Sequence, residues 1–282
     1  MPTSPSSSAQ AARKAVADRL REIRQDAGLT AKDVADRIGW YKSKVSRLEN
    51  AVTPPSDDDV KAWCRACGAD GMAADIIAAS RTAENMYVDW RRLQRTGLRR
   101  LQDSYVPLFE RTNTFRVYCS NVVPGLCQTE GYVRALLGSI AAFRSAPDDL
   151  SSAVPARMAR ARILREGSHR FAFLLEEAVL RHRVGGSQVM AGQMDHLLSV
   201  MSLPSVSLGV IPFSADRRMW MLETFSIYDE EQAQVETLTA QVNVTAPSEV
   251  RQYLQAFSEF GKLAVYGQRA RDLIKAASDA LE

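Results

Sequence analysis

The sequence has no long apolar run, few cysteines and histidines, and little net charge. No stretch approaches the roughly 20 apolar residues that a membrane-spanning helix needs, which argues against a membrane protein. The uncharged, Ser/Pro-rich start, residues 1–10, lacks the basic and apolar segments of a signal peptide. We therefore expect a cytoplasmic protein with no membrane partner, whose residues 1–12 form a disordered tail.

The four cysteines and three histidines do not form a recognisable metal or redox motif. Cys64 and Cys67 have the spacing of half a zinc site, but no second Cys/His pair of suitable spacing follows them. On a helix that also carries Val60 and Trp63, both thiols are expected to be small core residues. The sequence predicts no metal site and no other cofactor.

Residue types suited to acid–base catalysis are present, but no catalytic motif surrounds them. Glu176 or Glu177 could act as a general acid, and His182 or His196 as a base. However, the sequence contains no Gly-rich phosphate loop, nucleophile elbow or metal-binding helix motif. A buried Glu beside Arg181 would form a structural ion pair just as readily. We therefore predict no catalytic residues and a protein that is not an enzyme.

The small net charge of +3 is unevenly distributed. Residues 13–50 carry ten Lys/Arg and six Asp/Glu, whereas residues 171–282 carry nine and fourteen. A basic front and an acidic back are typical of a protein that holds a polyanion at one end only.

Helical periodicity and two capping boxes predict a five-helix bundle over residues 13–81. Thr30 with Asp33 opens a short second helix, and Ser56 with Asp59 opens a fourth. The second and third helices are joined by a tight turn that contains glycine. This arrangement is a helix-turn-helix, a DNA-binding motif.

The third helix carries the residues that we expect to read DNA. With Val45 and Leu48 facing the core, the outward-facing side chains are those of Lys42, Ser43, Ser46 and Arg47. Arg and Lys commonly bind guanine edges in the major groove. Contacts to phosphate, which set affinity but not sequence, are predicted for Thr30, Lys32 and Lys44. The alternative is a solvated basic face on a structural bundle.

The pattern Gly-Leu-Thr-x-x-x-Val-Ala-x-x-Ile-Gly at residues 28–39, followed by Lys-Ser-Lys-Val-Ser-Arg-Leu-Glu-Asn at residues 42–50, resembles the Xre/lambda-Cro family of helix-turn-helix domains. The resemblance implies base contacts at the positions of Lys42, Ser43 and Arg47.

The same resemblance implies a structural pair between Arg24 and Glu49. It also exposes a departure, since the usual Gln at the first position of the second helix is Ala31 here. Phosphate binding at that helix would therefore depend on its backbone N–H groups and on Lys32.

Residues 82–105 have the apolar spacing of one long connector helix, on the order of 35 Å at 1.5 Å per residue. It carries five arginines: Arg91, Arg92, Arg95, Arg99 and Arg100. Contact with DNA flanking the site, pairing with an acidic surface and simple solvation all remain open for them.

Residues 106–282 alternate between strand and helix patterns, which favours an α+β sandwich. Strand patterns lie at residues 114–123, 171–175, 205–212, 224–228 and 234–244, the last of them interrupted. Helical patterns lie at residues 129–138, 152–166, 187–201 and 248–277.

The motifs Val-Pro-Gly-Leu-Cys-Gln-Thr at 123–129, Glu-Glu-Ala-Val-Leu-Arg at 176–181 and Val-Ile-Pro-Phe at 210–213 resemble the domain of unknown function found in WhiJ-like, antitoxin-like regulators. The resemblance implies gene regulation, often alongside a small partner protein encoded nearby. Four apolar residues, Met219, Trp220, Met221 and Phe225, could form a partner or ligand surface, or simply core.

Taken together, these patterns predict a homodimeric transcriptional regulator that binds a double-stranded DNA operator. Its C-terminal domain would bind a partner protein or small ligand and set the dimer geometry. The alternative is an antitoxin-like protein that mainly binds a small partner and uses DNA binding for autoregulation.

Overall fold

The computed structural model describes residues 7–90, 94–95, 97–245 and 247–281. The chain divides into two compact units, Met1–Asp89 and Trp90–Glu282. Among the described residues, no helix combines the length and the apolar character that crossing a bilayer requires.

The N-terminal unit is helical, as the sequence predicts. Its elements are α1 (Ser7–Asp26), α2 (Ala31–Ile38), α3 (Lys42–Glu49), α4 (Asp57–Ala66), a 3-10 turn (Asp70–Met72), α5 (Ala73–Met86) and a short strand β1 (Tyr87–Asp89). Both predicted capping boxes form, at Thr30 with Asp33 and at Ser56 with Asp59. Gly39 ends α2 in the left-handed region, at a φ of 77°.

The core of this unit gathers the inward-facing residues of all five helices. Its buried members are Val16, Leu20, Ile23, Val34, Ala35, Val45, Leu48, Val60, Trp63, Cys64 and Ile76. The indole N–H of Trp63 donates to the Leu20 carbonyl over 3.0 Å, so its one polar atom is satisfied. Burial raises the pKa of the Cys64 thiol, which is therefore a poor nucleophile and packs as a core residue.

Two segments differ from the sequence-based prediction. Helix α1 begins at Ser7, within the predicted tail of residues 1–12; Ala, Gln, Arg and Lys after Ser8 are good helix formers. Residues 82–105 do not form one helix, since α5 ends at Met86 and β1 follows. A separate helix, α6 (Leu98–Ser104), begins after Gly97, whose φ of 97° is incompatible with a helix.

The start of α6 is capped by a residue far away in the sequence. The carboxylate of Asp149 accepts from the backbone N–H groups of Leu98, over 3.0 Å, and Arg99, over 2.9 Å. A distant cap of this kind leaves no local signal. Of the connector arginines, Arg99 and Arg100 are exposed on α6 and Arg95 is exposed before it; Arg91 and Arg92 lie outside the described residues.

The C-terminal unit is an α+β fold, which confirms the predicted class. Its helices are α6, α7 (Val106–Arg111), α8 (Glu130–Arg144), α9 (Leu150–Arg160), α10 (Glu177–Arg181), α11 (Ser187–Val200), α12 (Pro247–Leu263) and α13 (Gly267–Asp279). Short 3-10 turns lie at Gly125–Cys127 and Ala161–Leu164. Its strands are β2 (Thr114–Cys119), β3 (Arg170–Glu176), β4 (Val206–Ile211), β5 (Phe225–Tyr228), β6 (Gln232–Glu236) and β7 (Ala240–Val244).

Six strands form a mixed sheet in the order β7-β6-β5-β2-β3-β4. Strands β2, β3 and β4 are parallel, with Phe115 opposite Phe171 in the register, whereas β5, β6 and β7 add antiparallel neighbours beyond β2. The interrupted pattern at residues 234–244 is a hairpin: Thr237 N–H donates to the Ala240 carbonyl over 2.8 Å.

Helices cover both faces of this sheet. On one face, Phe115 and Phe173 belong to a cluster that includes apolar residues of α11 and α13. On the other face, the ring of Tyr118 stacks on that of Phe260 of α12, with centroids 4.1 Å apart. The fold therefore buries both faces of the sheet, as in a layered α+β protein.

Candidate nucleic-acid interface

Helix α3 presents a polar face opposite its buried residues. Val45 and Leu48 are in the core, whereas Lys42, Ser43, Lys44, Ser46 and Arg47 are all exposed. Ser43, Lys44 and Arg47 surround one shallow depression together with Tyr41. The side chains of Lys42 and Arg47 form no hydrogen bond or ion pair with the residues that the structure describes, so both are available to an external partner.

Lys44 is engaged within the unit. Its ammonium lies 2.6 Å from a carboxylate oxygen of Asp59 and 4.0 Å from the centroid of the Trp40 ring. Burial acts to raise the pKa of Asp59, but hydrogen bonds from Lys44 and Ser56 outweigh it and lower the pKa. A phosphate that binds Lys44 must therefore compete with Asp59.

Ser46 is also partly occupied. Its hydroxyl and its carbonyl accept from the side-chain amide of Asn50, over 3.3 and 2.8 Å. Asn50 in turn accepts from Arg21 of α1 over 3.2 Å. Ser46 thus lies on the outward face of α3, but its hydroxyl belongs to a hydrogen-bonded network that ends on α1.

The pair that the family resemblance implies is formed. Arg24 Nε donates to Glu49 Oε1 over 2.5 Å, and both side chains are largely shielded from solvent. Arg21 adds a hydrogen bond of 2.6 Å to the Glu49 carbonyl. Two arginines of α1 therefore fix the C-terminal end of α3, which holds the polar face of the helix in place.

At the start of α2 the predicted phosphate residues differ in availability. Thr30 closes its capping box, in which its hydroxyl contacts Asp33 Oδ2 over 2.6 Å and its N–H donates to the same oxygen over 2.8 Å. The hydrogen bond from the Thr30 side chain lowers the pKa of Asp33 and so favours its ionised form. Asp33 therefore places a negative charge at the start of α2. Lys32 is exposed beside it.

Two residues at this face were not singled out from the sequence. Tyr41 directly precedes α3, and 86% of its surface is exposed. Asp59 holds Lys44, although the sequence marks it only as a capping residue. An aromatic residue just before an exposed basic helix is a signal that could have identified Tyr41; the pairing of Asp59 depends on the fold.

Of the residues predicted to form an apolar surface on the C-terminal unit, some are exposed and others lie in the core. Trp220 and Met221 are exposed, as is Leu222, whereas Phe225 is buried in the core and Met219 packs against it. A groove of about 240 Å³ runs beside this loop, lined on its far side by Tyr253 of α12 and its neighbours. The exposed apolar surface therefore contains fewer of the predicted residues than the sequence indicates.

Glu176 and Glu177 are buried in structural ion pairs. Glu176 accepts from Tyr118 over 2.8 Å and pairs through both oxygens with Arg217. Glu177 accepts from Arg181 over 2.9 Å and from the Phe213 N–H over 3.0 Å. Both carboxylates are therefore occupied, which explains these acids as structural residues. No group of three or more His, Cys, Asp or Glu side chains in the described part of the chain is arranged to hold a metal ion.

The fold and the exposed face of α3 define a helix-turn-helix protein, a class that binds DNA. Consistent with this, the family described as a helix-turn-helix domain matches residues 15–75. A second family, the domain of unknown function DUF5753, matches residues 102–276, which is more than half of the chain. The chain belongs to the DUF5753 family.

Other comparisons add little. The chain has no match among curated proteins. Among solved structures it is similar to TrmBL2, an archaeal chromatin protein whose structure is described as showing a novel mode of DNA binding. The two are 12% identical, the match covers 89% of this chain and 99% of that chain, and the TM-score is 0.32. A TM-score this low supports no inference about this chain.

Proposed function

We propose that the protein is an Xre-type transcriptional regulator that binds a double-stranded DNA operator in the cytoplasm. The observation that carries the proposal is the exposed face of α3, where Lys42 and Arg47 form no hydrogen bond or ion pair with the residues that the structure describes. In the proposal α3 enters the major groove, and the base-reading side chains are those of Lys42, Ser43, Ser46 and Arg47. Residues 13–81 bind DNA, and residues 106–282 bind a partner or ligand.

Phosphate contacts come from Lys32 and from the backbone at the start of α2, near Thr30. Lys44 takes part by exchanging its bond to Asp59 for one to a phosphate. Because that exchange breaks an existing ion pair, its net contribution is smaller than that of a free lysine.

The proposed regulator is a homodimer, because helix-turn-helix dimers read two half-sites about 34–36 Å apart. The C-terminal unit sets the distance between the two recognition helices. A ligand that favours one dimer arrangement over another would change operator affinity. A monomeric mass in solution, both with and without DNA, would contradict this part of the proposal.

The test is fluorescence anisotropy of the full chain with the DNA upstream of its own gene, across a salt series. Wild type is compared with Arg47→Ala and with Lys61→Ala, a matched control that removes an exposed charge from α4. We expect Arg47→Ala to weaken binding by roughly 1–3 kcal/mol and to relax sequence preference. Lys61→Ala should leave the preference unchanged.

Weak binding that is indifferent to sequence and unaffected by Arg47→Ala would overturn the proposal for this DNA. Equal effects of the two substitutions would also count against it, because they would show that α3 contributes only general positive charge.

A second candidate function is antitoxin-like capture of a small partner protein. The exposed apolar loop favours it, since 65% of Trp220 and 79% of Leu222 are accessible and exposed Trp is a common interface anchor. Size-exclusion chromatography with the protein encoded next to this gene would detect a complex. We expect Trp220→Ser to abolish the complex and to leave DNA binding intact if this function is correct.

A further inference from the structure

A cavity of about 160 Å³ lies inside the C-terminal unit. The sheet forms one wall through residues of β2, β3, β5 and β6, and helices α6, α8 and α9 form the other. Aromatic side chains supply much of the lining: Trp90, Tyr105, Phe109, Phe115, Phe173 and Tyr228. The DNA binding that we propose for α3 does not use this cavity.

Three arginines reach the cavity among these aromatic rings. The Arg144 guanidinium lies 4.4 Å from the centroid of the Trp90 ring, and that of Arg160 lies 4.8 Å from Tyr105. Arg160 also donates to Gln102 over 2.6 Å. None of the three forms an ion pair with a carboxylate in the part of the chain that the structure describes.

Arg157 is the least satisfied of these arginines. Its side chain makes no hydrogen bond to the described residues, and its Nε is buried without a partner. The guanidinium lies so close to the backbone that a Cβ at Gly125 would be 3.0 Å from Nη2. Arg157 is partly buried, and a partly buried cation without an ion-pair partner among the described residues loses hydration without compensation, so its position here needs an explanation.

A second buried polar atom at the cavity is also without a partner. Gln94 is only 4% exposed, and its Oε1 accepts no hydrogen bond from the residues that the structure describes. Buried polar atoms are nearly always hydrogen-bonded in proteins. Arg157 and Gln94 therefore provide a positive charge and an acceptor, both without partners among the described residues, in the lining of one cavity.

The charges of the cavity wall do not balance. Among the lining residues that the structure describes, three are arginines and one, Glu236, is acidic; Glu236 is at an exposed position. Burial first, and then the positive charge of Arg157, lower the pKa of Arg160 to about 10. An anion in the cavity would offset both the lost hydration of these arginines and their mutual repulsion.

We propose that this cavity binds a small organic acid, with its carboxylate against Arg157 and its apolar, ring-sized body among the aromatic residues. Arginine is suited to this role because its planar fork of N–H groups matches a carboxylate. The size is appropriate, since a cavity of about 150 Å³ holds a benzene ring. A ligand that also carries a donor group would satisfy Gln94 Oε1; benzoate has none and therefore tests only the carboxylate and aromatic parts of the site.

This inference deepens the ligand-binding role in the proposed function and is tested without DNA. Loss of DNA binding with retained acid binding would overturn only the proposed function, and the reverse result would overturn only this inference. The probes are benzoate, its neutral analogue benzamide, and inorganic phosphate, each titrated into the full chain by isothermal calorimetry.

We expect benzoate to bind with one site per chain and at least about tenfold more tightly than benzamide, because the amide lacks the negative charge and the second oxygen that accept from the guanidinium. Phosphate should bind more weakly than benzoate, since it cannot use the aromatic lining. Absence of benzoate binding, equal binding of benzoate and benzamide, or preference for phosphate would each overturn the proposal. This comparison needs no variant.

Substitutions then locate the site. Arg157→Met should weaken benzoate binding at least about tenfold, whereas Arg157→Lys, which keeps the charge, should weaken it less. Arg134→Met is the matched control, because Arg134 is an exposed residue of α8 paired with Glu130. Equal effects of Arg157→Met and Arg134→Met, with both proteins folded by circular dichroism, would overturn the assignment.

Discussion

Arg24 of α1 and Glu49 at the end of α3 form a two-point ion pair, with Nε 2.5 Å from Oε1 and Nη2 3.2 Å from Oε2. Only 13% of the Arg24 side chain and 8% of the Glu49 side chain are exposed. Arg24 also donates to the Leu29 carbonyl over 2.8 Å. One guanidinium therefore joins α3 to α1 and to the turn before α2.

Removing Glu49 should destabilise the N-terminal unit. Glu49→Ala leaves the Arg24 guanidinium shielded and without its carboxylate, for which a loss of about 3 kcal/mol is expected. The control is Glu22→Ala, whose partner Arg19 and whose own side chain are about half exposed, so that less than about 1 kcal/mol is expected. Urea unfolding measured by circular dichroism compares the two. Similar losses would show that burial does not strengthen the Arg24 pair.

Asp59 should restrain DNA binding by holding Lys44. In Asp59→Asn the ammonium of Lys44 is free to contact phosphate, so we expect tighter binding at low salt. We also expect the slope of log affinity against log salt to steepen by about one unit. Asp58→Asn removes the same charge from the same turn, but Asp58 is 93% exposed and pairs with Lys61. If both substitutions change the slope equally, the effect is general electrostatics and not the release of Lys44.

Local signals in the sequence predicted the N-terminal unit well. Both capping boxes are patterns of four consecutive residues, and each forms where the sequence places it. The pair of Arg24 with Glu49 was implied only by family resemblance, since the two residues are 25 positions apart. The roles of Lys42 and Arg47 in reading DNA stay predictions, because exposure alone does not identify a ligand.

Prediction from the sequence failed where the local structure depends on residues that are distant in the chain. The apolar spacing of residues 82–105 matches one helix, but strand β1 interrupts it, and the indole N–H of Trp90 donates to the Thr237 carbonyl, 147 residues away. The arginines of the cavity were missed for the same reason. A local signal did exist: Arg157 follows the buried Ala153 and Val154 by four and three residues, so it lies on the inward face of α9.

The pair of Glu176 and Arg217 should hold the loop that carries Trp220. Arg217→Met leaves the carboxylate of Glu176 buried beside the Tyr118 hydroxyl, for which a loss of about 3 kcal/mol is expected. Adding Glu176→Gln removes the unpaired charge, so the double variant should recover part of that stability. A double-mutant cycle in urea measures the coupling. Additive effects of the two substitutions would show that the pair contributes nothing specific.

His196 should make the C-terminal unit sensitive to mild acid. Burial lowers its pKa below the ordinary value of 6.5, and the positive charge of Arg165 lowers it further. The unfolded chain therefore binds a proton at a higher pH than the folded chain does. The contribution to stability is complete above 6.5 and is lost as the pH falls toward the folded pKa.

His196→Gln removes this titration, so its unfolding free energy should fall less than that of wild type between about pH 7.5 and pH 5.5. His182→Gln is the matched control, because His182 is exposed and contacts only the Asn121 carbonyl among the described residues. Urea unfolding at the two pH values gives the comparison. If wild type and His196→Gln lose the same stability, the His196 imidazole is not the group that titrates. A reduced loss in His196→Gln alone assigns the acid sensitivity to this residue.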